Sequence, residues 1–312
     1  MNNLSFFKLP LILVIICWLM AIVTSITMMM INAPEYVNLG NYVINVAFNK
    51  LFYGLPKHLL IMFIASLAFY RCHIYQITVK NILSLITISL MMNVIVILFD
   101  NYILSFIMSY LYPYLNYLGY EAVLLIHSFI PSLLNYIVVG LVIYYGILNL
   151  QNRFDRAVDF KVIDADNRVK THVILFALLF ISLSLLFLTP ILPFYSASYI
   201  SGYLIVVIII ALIVYFSIRN CFTIETDTLE TARIIKSTLL SFLFSAIANI
   251  VISLAMAFLI IMVAYGEYQS NQSDLIMIVF LGFGLQIVLT SLILRAVTKR
   301  YFARASNETS VK

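Results

Sequence analysis

Residues 237–257 read STLLSFLFSAIANIVISLAMA, and Ser237, Ser241, Ser245, Asn249, Ser253 and Ala257 recur at every fourth position. The residues between them are almost all apolar. A helix turns 100° per residue, so such a row drifts by only 40° per step and winds slowly along one side. The stretch is also long and apolar enough to cross a bilayer. In hydrocarbon an apolar neighbour is no better a partner than lipid, so helices associate through close backbone approach and polar links. The row therefore reads as a seam for another helix. The next apolar segment supplies a counterpart in GFGLQIVLTS, where Gly282, Gln286 and Thr290 are again four apart. The two segments adjoin in sequence and run antiparallel, which predicts a hydrogen bond between the Asn249 and Gln286 amides near mid-depth.

The rest of the chain has the same character. Of 312 residues, 64% are hydrophobic and 10% charged. A soluble domain is nearer half apolar and a quarter charged, and could not hide this much apolar surface. The expected fold is all-α: a polytopic integral membrane helix bundle of about eight transmembrane helices, forming a single transmembrane domain over residues 1–312. The spans are placed near 9–31, 58–77, 82–99, 124–149, 171–193, 198–218, 238–265 and 275–295. The third is short and could run on past Asp100. The first exceeds the apolar core of a cleaved leader and reads as a retained helix.

Charge sets the orientation. With the N-terminus inside, only Lys50 and Lys57 of the 18 Lys and Arg residues fall in outer segments. This bias predicts cytoplasmic N- and C-termini and an even number of spans. Short loops point to a bacterial inner membrane. Tyr102, Tyr110, Tyr112, Tyr114, Tyr117 and Tyr120 crowd one outer loop, where aromatic rings favour the headgroup layer. The net charge of +5 belongs to this topology, and no basic patch suggests nucleic acid.

Within the loops, Phe154, Val158, Val162, Ala165 and Val169 have helical spacing and predict a short amphipathic helix on the inner surface. Asn41, Asn45 and Asn49 predict a helix in the first outer loop whose amide face either lies at the interface or lines an outer vestibule. Asp227 and Glu230 resemble a capping box that opens the seventh span. FDRA at 154–157 and FARA at 302–305 hint at a 4+4 duplication, 1–157 and 158–312.

The chemistry is sparse. Cys17, Cys72 and Cys221 read as free thiols, and no metal, cofactor or catalytic set is expected. No charged residue sits well inside a predicted span, and the nucleotide-binding, metalloprotease and hydrolase motifs are absent. His127, Pro131 and Asn135 share a face of the fourth span. Ser89 and Asn93 are four apart in the third. His58, His73 and His172 are expected at span ends, their tips among headgroups. Two readings follow. One is an uncoupled transport protein for a neutral or lipid-like solute, with a cleft lined by Asn93, His127, Asn135, Asn249 and Gln286. The other is a non-transporting accessory, regulatory or immunity-type protein that binds a membrane partner or itself. A lipid-modifying enzyme ranks last, for want of a nucleophile or acid pair.

Overall fold

The computed structural model describes residues 3–32, 39–115, 117, 120–156, 165–188, 197–222, 229–265 and 272–302. The chain is an all-α polytopic membrane helix bundle, with no strand among the described residues. In order the helices are α1 (Asn3–Asn32), α2 (Leu39–Phe52), α3 (Leu55–Cys72), α4 (Val79–Leu98), α5 (Ser105–Leu115), α6 (Tyr120–Asn149), α7 (Ala165–Leu188), α8 (Ala197–Ile218), α9 (Thr231–Tyr265) and α10 (Gln272–Phe302). Seven described helical stretches are long and apolar enough to cross a membrane, and the apolar stretch Tyr203–Ile218 of α8 is shorter.

The third expected span is much longer than placed. After Leu98 the chain continues without a break through a π-helical turn, Phe99–Leu104, into α5. A single Asp100 does not stop a helix whose apolar run resumes at once, and Val79–Leu111 forms one candidate span.

Two compact units result, one comprising Met1–Asp164 with Ile181–Leu204 and the other Ala165–Phe180 with Ile205–Lys312. The core of the first is built from single helix faces. Leu9, Leu13 and Cys17 of α1 meet Ile61, Ala65 and Phe69 of α3, Leu85, Ile88 and Met92 of α4, and Val139, Ile143 and Ile147 of α6. These spacings of three and four put each set on one stripe. Small residues set the approach distances: Gly140 of α6 lies against Ile64, and Gly146 against Ile88. α3 ends in a Schellman turn, with His73 in the left-handed conformation (φ 57°) and the Ile74 N–H bonded to the Phe69 carbonyl at 3.0 Å.

The segment after α6 departs from expectation. Gln151–Arg153 is a short 3₁₀ turn, and Phe154 is extended, buried and edge-on to Phe69, 5.8 Å between centroids. Phe154 is a plug in the core of the first unit, not the start of an amphipathic helix. Val158 and Val162 lie outside the described residues, as does Asp227 of the expected capping box. α2 fills much of the connection between the first two spans, with Asn45 and Asn49 exposed.

The second unit centres on α9, α10, α8 from Ile205 onward and the first part of α7. His172, Phe176, Phe222 and Phe302 form an aromatic cluster, with Phe222 and Phe302 centroids 4.5 Å apart.

Candidate functional site

In the first unit a polar group collects where two helices are locally perturbed. A π turn carries an extra residue and often marks a functional position. Asp100 lies on that turn, and its Oδ1 accepts a 2.7 Å hydrogen bond from Asn135 Nδ2 of α6. One turn earlier in α6, Pro131 removes a backbone donor. Asn135 Oδ1 is buried without a hydrogen-bond partner among the described residues. Lys57, in the first turn of α3, lies within electrostatic reach of Asp100 and Cys17. Its neighbour His58 is buried. The His58 Nε2–H donates to the Lys50 carbonyl at 3.1 Å, satisfying an orphan acceptor at the end of α2, and its Nδ1 has no described partner.

Deeper in the same unit, Cys17 lies beside Ser89. Asn93 turns back onto its own helix, with Nδ2 2.9 Å from the Ser89 carbonyl. Tyr136 of α6 donates to Ser182 of α7, which donates to the Pro56 carbonyl of α3 at 2.6 Å. That relay ties three helices together. The backbone of His127 is helical within α6, and its side chain lies outside the described residues.

In the second unit the seam between α9 and α10 is polar along much of its length. Gln286 Nε2 donates to Ser253 Oγ at 3.0 Å and to the Asn249 carbonyl at 3.5 Å, while Asn249 Nδ2 reaches Thr290 Oγ1 at 3.5 Å. The two amides do not bond each other. The longer glutamine passes the asparagine side chain and takes a backbone oxygen and a hydroxyl instead. Gly282 accommodates Met256, whose side chain occupies the space a Cβ would need. Ser237, Ser241 and Ser245 are buried, whereas Ser253 and Ala257 are exposed. Ser217 of α8 and Ser291 of α10 share a 2.7 Å hydrogen bond.

The end of the first unit that carries Arg71, Lys80, Arg153 and Arg156, its basic end, holds a polar knot. Thr78 caps α4 by accepting the Asn81 N–H at 3.2 Å, and it donates to Asp155 Oδ2 at 2.8 Å. Lys80 Nζ sits 2.9 Å from Asp155 Oδ1. Fully buried Asn81 donates to the Gln76 carbonyl at 2.7 Å and the Asp155 carbonyl at 3.3 Å, and accepts the Asp155 N–H at 2.7 Å. Ser84 donates to the Lys80 and Arg153 carbonyls. Hydrogen bonds from Lys80 and then Thr78 hold the Asp155 carboxyl below its ordinary range. Beside the knot opens a groove of about 330 Å³ between the start of α4 and residues 150–153.

His172 is not among headgroups. Fully buried in the second unit, its Nδ1 lies 2.9 Å from the Arg168 carbonyl, and its Nε2 accepts the Glu230 N–H at 3.3 Å. The acceptor role of Nε2 places the proton on Nδ1. Glu230 pairs with Arg233 at 2.9 Å.

The sequence places Lys57 in an outer segment and His58 at a span end, and it lets the third span run on past Asp100, as the continuous helix through the π turn does. The Asp100–Asn135 bond between two helices is what it does not convey. Among the described residues no group of His, Cys, Asp and Glu could hold a metal. No family model, curated protein or solved structure matches the chain.

Proposed function

We propose that this multi-pass membrane protein is a transport protein of a bacterial inner membrane, with both termini cytoplasmic, for a neutral or lipid-like solute. The observation that carries the reading is the Asp100–Asn135 pair. It sits where α4 passes into a π turn and α6 carries Pro131, and it leaves the buried Asn135 side-chain oxygen without a partner among the described residues, an acceptor that a donor on a solute would satisfy. Asp100 falls inside the candidate span Val79–Leu111, and an ionisable residue within a span is a functional candidate by default. The one-sided distribution of Lys and Arg along the chain supports the orientation. If the short α8 also crosses, the termini share a side.

The test is flux into liposomes holding the purified chain, using labelled polyols, amides and fluorescent lipid analogues. Wild type moves at least one of these faster than empty liposomes, and Asn135→Leu slows it about tenfold. Equal rates for wild type, Asn135→Leu and empty liposomes would remove the proposal.

A second reading is favoured by one observation. Only 6% of the residues in the most apolar windows of α9 and α10 are buried, against 61% in α7. Such a hairpin suits an accessory protein that lays these helices against a membrane partner or a second copy. Native co-purification separates the readings: a stoichiometric partner, with no flux, favours the second.

A further inference from the structure

We propose that the groove at the basic end of the first unit holds the phosphate of an anionic phospholipid. The inference stands apart from the transport reading.

The groove has the two halves such a ligand needs. Lys80, Arg153 and Asn152 line it, and Leu83 and Leu150 give its floor an apolar part beside Ser84 and Thr87. Lys80 is already engaged by Asp155. Arg153 is exposed, and its guanidinium has no hydrogen bond or ion pair to another described residue. Arg156 Nη2 donates to Asn152 Oδ1 at 3.3 Å, bringing a third cation to the rim. Among the described residues here, three cations thus stand with the carboxylate of Asp155. A planar guanidinium matches the paired oxygens of a phosphodiester, and basic pockets at the ends of membrane helices take anionic headgroups.

The choice of a lipid over a free phosphate rests on where the floor leads. Leu83 is exposed, and so are Leu90 and Val94 further along α4. Thr87 lies between them, its hydroxyl turned back to the Leu83 carbonyl at 3.0 Å and so withdrawn from the surface. These positions fall on one helical stripe that starts in the groove and runs along α4 to Val94. An acyl chain can follow this stripe with its phosphate at Arg153. Inorganic phosphate gains nothing from it.

The site survives removal of its ligand-binding cation. The knot beneath uses the Arg153 carbonyl, not its side chain, so Arg153→Gln leaves the fold intact. The full chain, purified in neutral detergent, is titrated with short-chain phosphatidylglycerol, short-chain phosphatidylcholine or inorganic phosphate, and thermal unfolding is followed. Phosphatidylglycerol raises the unfolding temperature more than phosphatidylcholine does. Arg153→Gln weakens the apparent affinity for phosphatidylglycerol about fivefold. Arg153→Lys retains part of it, since it keeps the charge and loses the fork. Leu83→Glu, which sets a carboxylate on the floor, removes the preference without touching the knot. Equal responses to the two lipids, or a wild-type response from both Arg153→Gln and Leu83→Glu, would overturn the proposal. So would a full response to inorganic phosphate alone, which would mark a free-anion site.

Discussion

Asn81 and Asp155, far apart in sequence, hydrogen-bond each other twice: the Asp155 N–H donates to Asn81 Oδ1 at 2.7 Å, and Asn81 Nδ2 donates to the Asp155 carbonyl at 3.3 Å. A third bond from the same amide reaches the Gln76 carbonyl. One side chain therefore replaces the missing secondary structure both in the segment before α4 and in the segment after α6. An isosteric apolar residue would leave three backbone groups unsatisfied, each worth about 1–3 kcal/mol when buried. Asn81→Leu should lower stability by about 3 kcal/mol, measured by thermal or denaturant unfolding in detergent. Hydrogen exchange should rise first at residues 74–81 and 150–156. A uniform rise across α1 and α3 would show that the knot is not a local fastener.

Asp155 gives this fastener a pH dependence. Its carboxyl is held below the ordinary value of 3.8 by the Lys80 and Thr78 hydrogen bonds. A group with a depressed folded-state pKa stabilises fully above its unfolded pKa and loses that contribution as pH falls through the folded one. Stability should thus be flat from neutral pH to the ordinary carboxylate range and fall below it. Asp155→Asn should flatten the acid limb. The effect should be modest, because the carboxylate meets solvent and surface pairs are weak. An acid limb unchanged in Asp155→Asn would assign it to another carboxylate.

The α9–α10 seam has a steric test. Met256 lies in the space above Gly282. Gly282→Val forces that thioether aside and should cost about 1–3 kcal/mol by overpacking. Met256→Ala, which opens the space, should restore most of it in the double variant. A purely additive double variant would show that the two residues do not share that space.

Phe154 tests the core of the first unit. It is buried against Phe69 although it belongs to a connecting segment. Phe154→Ala should cost about 3–5 kcal/mol. An exposed loop phenylalanine would give almost nothing.

These residues also show what the sequence could and could not convey. Hydropathy located the membrane helices because twenty apolar residues in a row have few alternatives. The small-polar row of α9 was visible for the same reason: its period is set by the helix itself. Asp100 and Asn135 were separately readable, but their bond joins positions on two helices, and no local period encodes it. Phe154 was misread because i,i+4 spacing records only that apolar residues recur. It does not say whether they lie on a surface or enter a core. His172 was placed at an interface because a polar tip near a span end suits headgroups, whereas Arg168 and Glu230 supply backbone partners that let it be buried.

The π turn at Phe99–Leu104 has one more implication. It contains a residue that an α-helix would not need, and each residue corresponds to 100° of rotation. Deleting one position there should anneal α4 and α5 into a single regular rod. The exposed rings of Tyr102 and Tyr110 would then swing to a different azimuth, while α4 itself stayed put. Chain length at this one joint, more than amino-acid type, is what aims the aromatic end of the rod.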